Sequence, residues 1–131
     1  MDKQPLVYIV DDEESIRESL KMLLLTLNYD VTCFKSAQEF LDKCDFTRPA
    51  CLLVDVFMPK ISGLELLNIV LAKKANMPVI LMTGFCDQAT QTQAIHAGAL
   101  GFIEKPFGKD RLLHMLQLCA DIHNKTKISQ W

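Results

Sequence analysis

The sequence predicts an α/β domain: a doubly wound, five-stranded parallel sheet in the order 2-1-3-4-5, with helices on both faces. Three observations point to it. Strand and helix signals alternate five times, joined by short connections. Most strand candidates are nearly continuous apolar runs, as a sheet covered on both faces requires. Four of those runs end on polar residues, and right-handed crossovers bring such endings to one edge of an open sheet, where ligand crevices lie.

The first strand is Leu6-Val7-Tyr8-Ile9-Val10, running into Asp11-Asp12. After it, Ile16, Leu20, Leu23, Leu24 and Leu27 recur at helical spacing. Asp30 to Phe34 reads as a second, weaker strand. Ser36-Ala37-Gln38-Glu39 then has the form of a capping box, in which Ser and Glu satisfy each other's orphan amides. Cys51-Leu52-Leu53-Val54 forms the third strand and ends on Asp55. Ser62-Gly63-Leu64-Glu65 repeats the capping signal and opens a helix carrying Leu67, Val70 and Leu71.

Pro78 starts the fourth strand, where its missing N–H does least harm, and Val79-Ile80-Leu81-Met82 leads to Thr83. From Asp87 to Ala97 the chain offers only Ala89, Ala94, Ile95 and Ala97 for burial, among Gln88, Thr90, Gln91, Thr92 and Gln93. That pattern predicts a weakly held helix, stopped at Gly98 and suited to motion. Gly101-Phe102-Ile103-Glu104 is the fifth strand and is followed by Lys105-Pro106. The last helix, from about Asp110 to His123, places Leu112, Leu116 and Cys119 on one face. Residues 1–124 are thus read as one domain, and 125–131 as a tail or the start of a linker.

Bulk composition narrows the function. Half of the 131 residues are apolar, 23% are charged and the formal net charge is −2, without a long run of one sign. This gives no support for nucleic-acid binding by the segment itself. The longest apolar runs are strand-sized, below the roughly 20 residues of a spanning helix, so no membrane is expected as a partner. The first residues lack the apolar stretch of a signal peptide. Five cysteines (Cys33, Cys44, Cys51, Cys86 and Cys119) form no C-x-x-C pair, and several lie on apolar runs where cysteine acts as a small hydrophobe. A reducing cytoplasm is the expected setting. Cys86, in the loop after Thr83, reads as an inert loop cysteine rather than a reactive thiol, for want of cationic neighbours. His96, His114 and His123 show no metal-ligand spacing.

The strand ends together offer three carboxylates (Asp11, Asp12, Asp55), the Thr83 hydroxyl and the Lys105 ammonium. Crowded carboxylates raise one another's pKa, and a hard divalent cation with oxygen ligands removes the conflict. One carboxylate is then free to act as a nucleophile on phosphorus, while cation, ammonium and hydroxyl stabilise the phosphoryl oxygens. Taken singly, Asp11-Asp12 reads as a helix N-cap, Asp12 being placed to cap the first helix, and Asp55 as a turn residue. Their joint placement with Thr83 and Lys105 favours the site.

These residues resemble the receiver domain of two-component response regulators, CheY-like in fold, over about Leu6 to Ile122. The matching motifs are Asp11-Asp12, Asp55-Val56-Phe57-Met58-Pro59 with Gly63, Thr83-Gly84, and Phe102-Ile103-Glu104-Lys105-Pro106-Phe107. The resemblance implies that Asp55 accepts a phosphoryl group from a sensor histidine kinase. It implies that Asp12, Asp55 and the backbone carbonyl of Phe57 hold Mg²⁺ (or Mn²⁺), with Asp11 acting through a water. Lys105, Thr83 and the Gly84 backbone are the phosphoryl-binding and switch groups, Phe102 is the aromatic switch position, and the Lys105-Pro106 bond is cis. A strand aromatic such as Phe102 is otherwise core filling.

Within the family the motifs look most like the FixJ and NarL branch, whose receivers usually precede a helix-turn-helix DNA-binding domain not included in these residues. The implied function is control of that output through the fourth helix and fifth strand, with homodimerisation on the same surface. The implied chemistry is no enzyme activity beyond the domain's own phosphoryl transfer and dephosphorylation. Phe57 and Phe85 are bulky aromatics two residues beyond Asp55 and Thr83, and are expected to slow water attack on the phosphoaspartate. Alternatives are a stand-alone receiver, a phosphorylation-independent interaction module, a Mg²⁺-dependent aspartyl phosphatase and a flavodoxin-like FMN binder. The phosphatase would need a second Asp where Phe57 stands. The FMN binder would need small polar residues where Asp11-Asp12-Glu13-Glu14 stand, and the interaction module usually lacks one or more of the site residues, all of which are present here.

Overall fold

A computed structural model describes residues 6–84 and 87–129, with backbone alone for 123–129. The expectations for Phe85, Cys86 and the His123 side chain therefore lie outside the described residues. Ten elements alternate: β1 (Leu6–Val10), α1 (Glu14–Thr26), β2 (Asp30–Phe34), α2 (Ala37–Lys43), β3 (Ala50–Asp55), α3 (Gly63–Ala72), β4 (Val79–Thr83), α4 (Gln88–Ala97), β5 (Gly101–Glu104) and α5 (Lys109–Ser129). The strands pair in parallel in the order β2-β1-β3-β4-β5, as the apolar runs and crossover rules predict.

Strand periodicity sorts the core into two layers, because successive side chains point to opposite faces. Tyr8, Val10, Leu52, Val54, Leu81 and Phe102 pack with Phe40, Leu66, Leu67 and Val70 under α2, α3 and α4. Val7, Ile9, Leu53, Ile80, Met82 and Ile103 pack with Leu20, Leu24, Leu112 and Leu116 under α1 and α5. Each fully buried aliphatic side chain contributes about 1.5–3 kcal/mol. The central strands therefore hold the sheet rigidly beneath their polar ends.

Helix starts follow the capping residues, with local departures. Ser62 and Glu65 close the predicted box in full, at 3.2 and 3.0 Å. Ser36 accepts from the Glu39 amide at 3.0 Å, but the Glu39 carboxylate turns to the Lys35 amide instead, so this box is half closed. Asp12 does not cap α1. Glu13 occupies the cap position without a side-chain bond, and its own N–H donates to the Asp11 carboxylate.

Three apolar residues face outward against expectation: Leu71, Ala89 and Ile95. In α3, Leu66 rather than Leu71 joins the core, and Leu71 is largely exposed. In α4, Ile95 is 48% exposed and Ala94 alone is buried. The helix ends as predicted at Gly98, whose φ of 108° favours glycine. The α5 backbone continues to Ser129, past the expected end at His123 and through the boundary set at residue 124. No Gly or Pro interrupts Asn124-Lys125-Thr126-Lys127-Ile128, and the apolar stripe that marked the helix simply runs out first.

Candidate functional site

Register places the site. Val10 of β1 pairs with Val54 of β3, so Asp11 and Asp55, each one residue further on, end adjacent strands at the same height. Asp55 pairs with Met82, and Thr83 with Glu104, so Thr83 and then Lys105 follow one step along on β4 and after β5. Bonds beyond the strand ends keep these neighbours together: Val56 N–H donates to Met82 O at 2.8 Å and Lys105 N–H to Thr83 O at 2.6 Å.

The crevice so formed is acidic, largely buried and centred on one cation. Asp11, Asp12 and Asp55 each present a carboxylate oxygen within 4.8 Å of the others. Asp11 and Thr83 are buried outright, Asp55 nearly so, and Asp12 is exposed. Lys105 Nζ donates to Asp11 Oδ2 at 2.7 Å and lies 3.6 Å from Asp55 Oδ1. The other Asp11 oxygen accepts from Glu13 N–H at 2.9 Å, and Arg17 Nη1 donates to the Asp11 carbonyl at 2.8 Å.

Burial pushes the Asp55 carboxyl up to about 6, and the charges of Asp11 and Asp12 push the same way. The Lys105 charge and the Phe57 backbone N–H oppose them without winning. Lys105 itself is raised: burial disfavours its charge, but the Asp11 hydrogen bond and the charges of Asp11, Asp55 and Glu13 outweigh that cost. Asp55 is therefore the strained carboxylate of the cluster, and Asp11 the satisfied one.

That donor set fits a hard divalent cation. Every available ligand is an oxygen, the cluster carries more negative charge than one lysine balances, and a cation would relieve Asp55. Both Asp11 oxygens accept hydrogen bonds, whereas Asp12 is exposed and Asp55 accepts one backbone N–H beside the Lys105 charge, so these two are better placed to ligate directly. Phe57 stands at the rim, 56% exposed, with its amide turned to the Asp55 carboxylate.

Behind the site, Gly63 is required by packing. Its N–H donates to Val56 O at 2.9 Å, and a Cβ there would collide with the Asp55 carbonyl oxygen. Gly84 differs: it is exposed, and a Cβ would meet nothing within 4 Å. Phe102 is buried in the core layer beneath α4, beside Leu81 of β4. The Lys105-Pro106 bond is cis. Next to Lys105, an open groove of about 570 Å³ runs from Ile16, Leu20 and Leu23 to Pro106 and Phe107. His96 and His114 are exposed and stand apart from the crevice.

The supporting contacts of Glu13 and Arg17 carried no sequence signal, since one works through its backbone and the other on a backbone carbonyl. Of the cysteines, Cys51 and Cys119 meet in the core, a pairing that their separation of 68 residues concealed. Among the described residues, no helix is long and apolar enough to cross a membrane.

Comparison with known proteins agrees with this geometry. The family described as "Response regulator receiver domain" matches residues 7–117. The transcriptional regulatory protein FixJ of Bradyrhizobium diazoefficiens is 39% identical over 111 residues, covering 85% of this chain and 54% of that protein. The response regulator protein TmoT of Ectopseudomonas mendocina is 36% identical over 126 residues, covering 96% and 57%. The chain thus spans about half the length of these relatives. The crystal structure of FixJ-N superimposes with a TM-score of 0.82 at 36% identity, over 92% of this chain and 95% of that one. A response regulator receiver protein from Pseudoalteromonas atlantica gives 0.81 at 32% identity, over 89% and 98%.

Proposed function

Because the chain belongs to the response regulator receiver domain family of two-component systems, we propose that it is a phosphorylation switch with Asp55 as its phosphoacceptor. The observation that carries this reading is the Lys105 ammonium, 2.7 Å from Asp11 and 3.6 Å from Asp55 at adjoining strand ends. It lies where an oxygen of a phosphoryl group on Asp55 would need a positive partner.

The donor is a phosphohistidine on a sensor kinase, seated over the open groove beside Lys105. An Asp55 oxygen attacks phosphorus in line with the departing imidazole nitrogen, which leaves with the bond electrons. Asp12, Asp55 and the Phe57 carbonyl would hold Mg²⁺ or Mn²⁺, with Asp11 acting through a water. Bound there, the cation neutralises the carboxylates and stabilises charge on the phosphoryl oxygens. Asp11 holds Lys105 in place. Lys105, the Thr83 hydroxyl and the Gly84 amide take the phosphoryl oxygens.

A phosphoryl group adds about −1.5 to −2 charges and new acceptor oxygens. Drawing Thr83 and Lys105 inward pulls on β4, β5 and the Phe102 ring packed between them and α4. Moving such an equilibrium from 1:99 to 99:1 takes about 5.5 kcal/mol of differential interaction. The α4–β5 surface then binds a second receiver or an output domain, a DNA-binding one by analogy with the FixJ relatives, in the cytoplasm.

Intact mass after addition of acetyl phosphate tests the acceptor. The expected result is a Mg²⁺-dependent gain of one phosphoryl mass, abolished in Asp55→Asn. A gain that persists in the variant, or none in the native chain, rejects it.

A further inference from the structure

The mechanism leaves one pair of nucleophilic groups unused. Cys51 lies on β3, in the strand that ends at Asp55, and Cys119 lies on α5. Their sulfurs are 2.6 Å apart, both residues are 1% exposed, and both thiols are free. Each is part of the core layer beneath α1 and α5. A disulfide bond is about 2.05 Å long. Closure therefore asks for a sulfur displacement of about half an ångström, from groups already facing one another.

We propose that Cys51 and Cys119 are a disulfide-forming pair, an oxidation site that ties α5 to the central strand of the folded domain. The oxidant is a hydroperoxide. The first cysteine, as its thiolate, attacks a peroxide oxygen, the O–O bond breaks, and a sulfenic acid forms with release of water or alcohol. The second thiol then attacks the sulfenic sulfur. An S–S bond forms, the S–O bond breaks, and the hydroxyl leaves as water with the second thiol's proton. Overall the two thiols lose two electrons and two protons, and the peroxide gains them.

Burial sets the tempo. Desolvation raises the Cys51 thiol well above its ordinary value, so the first attack is slow and follows brief local opening of α5. The second step is fast, because the partner sulfur is already in place. Cys33 and Cys44, half-buried and without a neighbouring thiol among the described residues, have no such partner.

Peptide mapping of the full chain under native conditions, after titration with hydrogen peroxide, tests this. The expected product has lost about 2 Da, the two thiol hydrogens, and yields a cross-linked peptide joining positions 51 and 119. Dithiothreitol reverses it. The bond closes a long loop, so the thermal midpoint rises by at least about 5 °C on oxidation and falls back on reduction. Cys119→Ala abolishes both the cross-link and the shift. Should that variant not fold, the map of the native chain decides alone. The proposal is overturned if positions 51 and 119 stay reduced while other cysteines oxidise, or if they join only in denaturant.

Discussion

The β3–α3 and β4–α4 units are built to one plan and held very differently. Each has a fully buried strand that delivers one reactive side chain, Asp55 or Thr83, and each continues into a ten-residue helix with a side-chain cap. Yet α3 buries Gly63, Leu66, Leu67 and Val70, whereas α4 buries Ala94 alone. Capping fixes where a helix starts, while burial decides how firmly it stays. Asp55, the proposed acceptor, is thus mounted on a fixed wall, and Thr83, the proposed switch residue, at the foot of a loosely held one.

The sharpest way to break this contrast is to remove core from each helix. Leu67→Ala in α3 is expected to cost about 2–5 kcal/mol in denaturant unfolding, the range for a buried Leu. Next in size is the electrostatic load on the fixed unit. Asp55 rises from 3.8 to about 6 on folding, so between those values the folded state binds more protons than the unfolded one. Stability contributed by the protonated form is present at low pH and is lost as pH rises through the window. In Mg²⁺-free buffer, Asp55→Asn is therefore expected to stabilise the chain by about 1–2 kcal/mol at pH 7–8. The gain should vanish toward pH 4, as parallel melts across the range would show.

The caps come third and should look alike in one respect only. Asp87→Ala removes the 2.6 Å bond to the Thr90 amide, and Ser62→Ala opens the α3 box. Each is expected to cost about 1 kcal/mol or less. Amide exchange should show local fraying of α4 in the first variant, but little loss of protection in α3, which its buried face retains. Smallest is Ile95→Ala on the exposed face of α4, expected within about 0.5 kcal/mol of the native chain. A loss comparable to that of Leu67→Ala would end the comparison.

The sequence disclosed the frame because strands buried on both faces leave unambiguous apolar runs, and because Asp11, Asp12, Asp55, Thr83 and Lys105 terminate four of them. It disclosed less where packing chooses between candidates of equal hydrophobicity. Leu66 and Leu71 differ only in which one the helix rotates inward, and in α4 the buried position falls to Ala94 while Ile95 faces out. Backbone groups were invisible: neither the Glu13 amide that orients Asp11 nor the shift of the α1 cap position from Asp12 to Glu13 left a sign in the sequence. The Cys51–Cys119 contact needed the sheet and α5 assembled before it could be seen.

The strand order has one more consequence. The crevice collects its groups from β1, β3, the end of β4 and the residue after β5, while the edge strand β2 supplies none. A chain severed in the surface loop between α2 and β3 would leave Asp11 and Asp12 on one fragment and Asp55, Thr83 and Lys105 on the other. Recovery of phosphoryl uptake on mixing would then report that β1 had docked beside β3, which makes the site its own complementation assay.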